Sequence, residues 1–362
     1  MGAGLYIGSV TPRAGKSLLA FSLGLLFRKA GLSVGYMKPV GCIPGKKDDI
    51  PGDTDAMMVQ EVLGLEAPPD LLTPVMLPED IYSPVLHAKN ENALQRIVDA
   101  YRVLSAGKEV CLVSGVGCFP YAGHSAGAGG TAVVRALDLK VLLTVRFHPR
   151  TNLDRLLAIR DCLGDALIGV VLNDVHDDDR RAATDILLPW LRGRGVPVLG
   201  CIRHEAALAA VRMIDLAHSL NGRIIAGNEQ ATGMVADFLI GAMQADNFIL
   251  HLQRRTNCAV ITGGDRPDLQ IAAMCAGCPC IILTGNAGPP EMIRARAEEK
   301  NVVLIRVRED AYRTARNTAR VFKAKKIRDL KQLRAGVRLV ENSLDIRAIL
   351  DSICQLYGKS AT

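Results

Sequence analysis

The chain has 362 residues, with 44 Lys+Arg against 37 Asp+Glu, a formal net charge of +7, 49% hydrophobic residues and 22% charged ones. This is the composition of a globular protein, and it excludes disordered, collagen-like and disulfide-stapled miniature classes. At ~100–200 residues per domain, the length predicts two domains with cores large enough to need no staples.

The N-terminus, MGAGLYIGSV, does not have the basic-then-apolar order of a signal peptide, and position six is Tyr6 where myristoylation requires Ser or Thr. The apolar stretch Leu18–Phe27 is shorter than the ~20 residues that cross a bilayer. A cytoplasmic protein with no membrane association is expected. Ten Cys lie mostly inside apolar runs, as buried reduced thiols do.

From Leu5 to about Cys201, short apolar runs alternate with helical patterns. The runs Leu5–Ile7, Ser33–Met37, Glu109–Val113, Val141–Val145, Ala166–Leu172 and Val196–Gly200 predict strands. Ser17–Ala30, Asp55–Leu63 and Asn92–Ser105 predict helices between them. Continuous apolar strands joined by helices predict an α/β domain, a mostly parallel sheet with helices on both faces. A second, smaller α/β series follows Leu220, with strands at Arg223–Ile225, Ala259–Thr262, Cys280–Leu283 and Val302–Arg306. Its predicted helices are Gln230–Ala242, Asp268–Ala276 and Pro290–Lys300. The boundaries drawn are 1–218, 219–335 and a C-terminal helix and tail at 336–362.

Two features have alternative readings. Cys275, Cys278 and Cys280 have a spacing that could seed a metal site, but no fourth soft ligand is evident and the run leads into a strand. Lys323, Lys325, Lys326, Arg328, Lys331, Arg334 and Arg338 form a basic run, but Val321, Phe322, Ile327, Leu330, Leu333, Val337 and Val340 recur among them at helical spacing. A solvated helix face is the expectation there, and nucleic acid is not an expected partner. His124 and His148 have no nucleophile elbow to serve.

The most informative stretch is Leu5–Ser17, a strand leading through a loop into a helix. A phosphate site needs amides at a helix N-terminus, a glycine for close approach, a lysine for the β/γ-oxygens and a hydroxyl for Mg²⁺. Gly15, Lys16 and Ser17 supply the last three, although Val10 stands where the strict loop has its first glycine. Arg13, Ala14, Gly15, Lys16, Ser17 and Leu18 are therefore the expected nucleotide-binding segment, making the first domain a P-loop NTPase-type fold.

This loop, with Gly35-Tyr-Met-Lys-Pro-Val-Gly41 after the second strand, resembles the dethiobiotin-synthetase-like P-loop domain at the N-terminus of long phosphate acetyltransferases. The stretch Val260-Ile-Thr-Gly-Gly-Asp-Arg-Pro-Asp-Leu-Gln-Ile-Ala-Ala273, followed by Ile281–Gly285, is similar to the DRTGG domain that follows it there. The resemblance implies a free-standing version of that N-terminal half without the acetyltransferase catalytic domain. It implies ATP with Mg²⁺: Lys16 on the β/γ-phosphates, Ser17 and Asp55 on the metal, Lys38 facing the γ-phosphate or a substrate, and Asn173 recognising the base. Lys16 and Lys38 would be the catalytic pair. The family's third strand usually ends with an acid that helps to hold Mg²⁺, and Ser114 stands there instead.

Asp53 reads equally as a helix cap or a metal ligand. Gly263, Gly264, Asp265 and Arg266 read equally as a turn with a helix cap or as an anion site for a second ligand. The reading preferred is a regulatory nucleotide-binding protein. The alternatives are an ATP-dependent carboxylate-activating enzyme of the dethiobiotin synthetase or cobyrinic acid a,c-diamide synthase kind, and an interaction module beside an acyltransferase. The resemblance also implies a homodimer.

Overall fold

The computed structural model describes residues 2–77, 92–148, 153–324 and 330–354. The chain divides into two compact units, Met1–His204 together with Arg328–Thr362, and Glu205–Ile327.

The first unit is built on a six-stranded sheet of β1 (Ala3–Ser9), β2 (Val34–Met37), β3 (Val110–Ser114), β4 (Lys140–Arg146), β5 (Leu167–Val175) and β6 (Val198–Arg203). The spatial order is β6-β5-β4-β1-β3-β2 and every pairing is parallel. Every residue of β1, β2 and β3 is buried, because helices cover both faces and an apolar run is the only sequence that satisfies both. On one face Ile97, Val133 and Leu156, from three crossover helices, pack with Val113, Leu143 and Val170 of the sheet.

Helix α1 (Lys16–Lys29) is apolar nearly all round, with Leu18 to Leu23, Leu26 and Phe27 buried. A helix buried on every side needs a second covering layer. The helix Leu330–Ser343 supplies it, packing on α1 and closing with the Lys29–Glu341 ion pair at 2.7 Å. Just beyond, the Asp345 amide donates to the Leu199 carbonyl (3.2 Å) and Leu344 bridges to Gly200. A Cβ on Gly200 would lie 2.2 Å from the Ser343 carbonyl oxygen, so only glycine admits this approach. The C-terminal helices thus belong to the first unit, which the chain leaves and re-enters. The side chains of Lys323, Lys325, Lys326 and Arg328 and the tail beyond Cys354 lie outside the described residues.

The second unit carries a five-stranded sheet of β7 (Arg223–Ala226), β8 (Asp237–Ile240), β9 (Cys258–Gly263), β10 (Cys280–Thr284) and β11 (Val303–Arg306). Its order is β7-β11-β10-β9-β8, parallel except for the antiparallel edge pair β7–β11. The helix predicted over Gln230–Ala242 is corrected: Met234–Val235 is a short strand and β8 pairs in parallel with β9. Gly233 and Gly241 bound that segment, and its Val-Ala-Asp-Phe-Leu-Ile core fills the free edge beside β9. Cys278 and Cys280 are buried thiols, and Cys278 Sγ donates within reach of the Cys258 and Cys280 carbonyls (3.2 and 2.9 Å). Burial pushes Cys278 up to about 12, while Cys275 is exposed.

Candidate functional site

At the carboxyl end of β1, the usual ligand edge of an open parallel sheet, the chain enters the loop Val10–Gly15 and then α1. Gly15 is the N-cap residue at φ 103°, a left-handed conformation that suits glycine, and it has no side chain to cap the helix. A Cβ there would lie 2.2 Å from Asn173 Nδ2. Among the described residues, the amides of Gly15, Lys16, Ser17 and Leu18 find no acceptor. Four unsatisfied amides at the positive end of a helix dipole make a cradle for an anion.

The loop is pinned from beneath. The Ala14 carbonyl accepts from Thr144 Oγ1 (2.8 Å) and from Asn173 Nδ2 (2.9 Å), and the Val10 amide donates to the Thr144 carbonyl (3.2 Å). Asn173, expected at a base, thus anchors the phosphate loop through its amide nitrogen. Val10 is 1% exposed and its carbonyl accepts from Cys118 Sγ at 2.7 Å, so its side chain serves the core where the strict motif has glycine. Arg13 is exposed at φ 57°.

Lys16 is half-buried and its ammonium donates to Ser9 Oγ (2.8 Å) and the Gly117 carbonyl (2.7 Å), both neutral. Burial, reinforced by the charge of Lys38, lowers its pKa to about 8 against the opposing influence of Cys42, Cys118 and Asp55. Ser9 and Gly117 were missed by sequence reasoning, because they meet Lys16 only when the third-strand loop folds beside the first. The consequence can be measured. Anion affinity should weaken as the pH rises through about 8, approaching tenfold per pH unit above it. Titrations of ATP between about pH 7.5 and 9.5, where its phosphates are already ionised, should show this slope in the wild type and none in Lys16→Ala.

The second cationic element is Lys38, at the end of β2. Its side chain is 6% exposed and sits 2.7 Å from Asp53 Oδ1 and 3.7 Å from Asp55 Oδ2. Asp53 is delivered by a hairpin, Pro44–Lys47 with Ile50–Asp53, turned by Asp48 and Asp49 at φ 51° and 62°. It caps the helix α2 (Thr54–Val62), accepting from the Asp55 and Ala56 amides, and its other oxygen accepts from the Cys42 and Ile43 amides (2.9 and 3.0 Å). Burial raises its pKa, but Lys38 and these donors outweigh that and hold the carboxyl below the usual value. With both oxygens committed, Asp53 is the cap of α2. Asp55, with its side chain 19% exposed, lies on the same ammonium. Ser114, where an acid was expected, is 3% exposed and lies near the buried Tyr36 hydroxyl.

Beside Asn173, Asp174 sits at φ 65° and pairs with Arg146 (2.5 Å) and His204 Nδ1 (2.7 Å), and His204 stacks on His176 at 3.9 Å. No sequence motif marks this group. In the second unit, Arg266 forms two bonds with Asp268 (2.9 and 2.7 Å), and Gln270 Nε2 donates to the Gly263 carbonyl (2.8 Å), with the Gly264 carbonyl 3.2 Å away. Asp265 is exposed on the same loop. Among the described residues no helix is long and apolar enough to cross a membrane.

Residues 3–212 match the AAA domain family and residues 215–321 the DRTGG domain. The phosphate acetyltransferase of Pseudomonas putida is 26% identical over 291 residues, covering 75% of this chain and 39% of that protein. The ATP-dependent dethiobiotin synthetase BioD of Thermodesulfovibrio yellowstonii is 32% identical over 122 residues, covering 32% of this chain and 50% of that one. A solved structure of the CBS and DRTGG domains of the regulatory region of Clostridium perfringens pyrophosphatase, complexed with its activator diadenosine tetraphosphate, aligns at 21% identity. It covers 31% of this chain and 47% of that one, with a TM-score of 0.27. The chain spans about 39% of the length of its phosphate acetyltransferase relative. With a phosphate-type loop at the head of its parallel sheet and both matches in this order, the chain belongs to the AAA domain family, carries a DRTGG domain, and is homologous to the N-terminal region of phosphate acetyltransferase and to BioD.

Proposed function

We propose that the protein is a nucleotide-gated regulator: its first unit binds ATP with Mg²⁺, turns it over slowly or not at all, and its DRTGG unit takes a second ligand. The observation that carries the binding part is the set of unsatisfied amides from Gly15 to Leu18 beside Lys16, a cation whose own partners are neutral. A triphosphate would satisfy the amides and give Lys16 its counter-charge. Ser17 on the first turn of α1 and Asp55 on the first turn of α2 are the residues that would hold Mg²⁺, and Mg²⁺ would neutralise charge on the β- and γ-oxygens.

The regulatory part rests on what the site lacks in charge. Ser114 carries no charge and Asp53 is committed to α2 and Lys38, so Asp55, 3.7 Å from the Lys38 ammonium, is the carboxylate this reading assigns to the metal. A metal held by one carboxylate and a hydroxyl is bound weakly, and phosphoryl transfer depends on that metal. Lys38 buried against Asp53 reads as a positioning element, and a role for it on the γ-phosphate requires it to turn from Asp53 toward the ligand. A metabolic acyltransferase partner and a homodimer belong to this reading as expectations from the phosphate acetyltransferase homology.

The reading is tested by titrating the full chain with ATP and Mg²⁺ while assaying inorganic phosphate in the same samples. Saturable binding with less than about one turnover per minute, nearly three decades under the usual ~10 s⁻¹ of an enzyme, is the expected result. Fast phosphate release that depends on a small carboxylic acid would replace it with the carboxylate-activating enzyme to which the BioD homology points.

A further inference from the structure

The carboxyl edge of the second unit's parallel strands carries a basic cleft, away from the motif loop expected to hold a ligand. It has a volume of about 440 Å³ and is lined by Arg223, Ile225, Asn228, Gly288, Arg294 and Arg306, with Glu291 at its rim. Arg306 ends β11 and Arg223 begins the antiparallel β7, so both stand at the edge where β10 runs into the loop 285–290. Open parallel sheets bind their ligands along this edge.

The charge arrangement there is unusual. Arg223 and Arg306 are direct cross-strand partners in the β7–β11 register. Like charges facing each other across a ladder are destabilising. Neither arginine forms an ion pair among the described residues. The one acid in the cleft, Glu291, is 82% exposed and sits 3.2 Å from Arg294, which leaves the two facing guanidiniums uncompensated. Arg306 Nη1 would stand 3.9 Å from a Cβ built on Gly288, so the guanidinium lies over bare backbone. The loop that presents Gly288 is held at its root by the Gly285 amide on the Glu309 carbonyl (2.9 Å) and the Asn286 amide on the Val307 carbonyl (3.0 Å).

The motif glycines serve this loop. A Cβ on Gly264 would come within 2.2 Å of the Ala287 carbonyl oxygen, so the absence of a side chain there lets the 285–290 loop seat beside the motif. Arg266, the cation of the motif, is held by Asp268. The motif thus shapes the cleft wall, and the free positive charge lies one loop away.

We propose that this cleft binds a small molecule bearing a pyrophosphate group. Three guanidiniums with one carboxylate favour a dianion or stronger, and planar guanidiniums bind phosphoryl oxygens in pairs. The cleft falls within the ~300–1,000 Å³ of small-molecule sites, and it is large for a lone phosphate. The inference rests on the reading that the DRTGG unit takes a second ligand, and it does not need the P-loop to be occupied.

The test uses the full chain and inorganic pyrophosphate as the probe, in calorimetry and thermal melting. Lys16→Ala removes the P-loop contribution, and in that background one binding event should remain. Adding Arg223→Gln and Arg306→Gln should weaken this event at least tenfold and abolish the pyrophosphate-induced rise in melting temperature. Without ligand, Arg223→Gln should melt at or above the wild-type temperature, because it removes a facing like charge; this separates lost binding from lost folding. Unchanged binding in the arginine variants, or no pyrophosphate binding in Lys16→Ala, overturns the proposal. Orthophosphate binding as tight as pyrophosphate would overturn the two-phosphoryl assignment. A wild type that binds ATP no better than Lys16→Ala would count against the P-loop reading alone.

Discussion

Lys16→Ala is expected to weaken ATP binding by at least a hundredfold while leaving the melting temperature within a few degrees of the wild type. The ammonium stands beside four unsatisfied amides, and a charge-assisted contact to phosphate in a half-buried site is worth roughly 1.5–3 kcal/mol, with ligand charge left uncompensated adding to the loss. Stability should change little because burial lowers the Lys16 pKa to about 8, which marks its charge as a cost to the ligand-free fold. Its removal frees Ser9 Oγ and the Gly117 carbonyl, whose other bonds, Ser9 Oγ to the Thr11 carbonyl (2.7 Å) among them, stay available. Calorimetric titration and thermal melting of the same preparations decide it. Wild-type affinity in Lys16→Ala would remove the P-loop as the nucleotide site. A drop of ten degrees or more would show that the ammonium holds the loop rather than a ligand.

The fold was legible where burial on both sides writes itself as an uninterrupted apolar run. β1, β3 and β10 are of this kind, and each spans or nearly spans the strand predicted for it. The Gly15-Lys16-Ser17 segment was legible for a different reason: its chemistry is local, a strand end, a left-handed glycine and a helix start within nine residues of chain from Ser9 to Ser17. What escaped was long-range. The 230–242 segment mixes Ala, Met and Leu with β-branched residues, and its strand identity depends on pairing with β9 rather than on local propensity. Lys38 meets Asp53 through a hairpin whose only sequence signal is Asp48-Asp49, acceptable in a two-residue turn but weaker than Asn-Gly. Ser114 meets Tyr36, and Arg223 faces Arg306, by sheet register alone. Sequence could mark Asp53 as a cap or a metal ligand; five hydrogen bonds to one carboxylate decide for the cap.

Asp53→Ala is expected to be the most destabilising single change in the first unit's site, by about 3–5 kcal/mol, since removing one partner leaves Lys38 buried without the carboxylate that neutralises it. Four amides lose their acceptor in the same step: those of Asp55 and Ala56 at the start of α2, and those of Cys42 and Ile43, which seat the hairpin base. For a unit of this size the loss corresponds to a fall of roughly 10 °C in melting temperature. Lys38→Met should cost less, because Asp53 keeps its four amide donors, and the double variant should be more stable than the sum of the single losses implies. The pH dependence has a definite sign. Asp53 titrates below its unfolded value, so its stabilisation is complete above about pH 4 and is lost as the pH falls through its folded pKa. Acid unfolding monitored by circular dichroism should therefore begin at higher pH in Lys38→Met, whose Asp53 has lost the cation that holds its pKa down, than in the wild type. Coincident acid transitions, or an Asp53→Ala protein as stable as the wild type to within 1 kcal/mol, would show that the Lys38–Asp53 pair is not what fixes α2 and the hairpin at the mouth of the site.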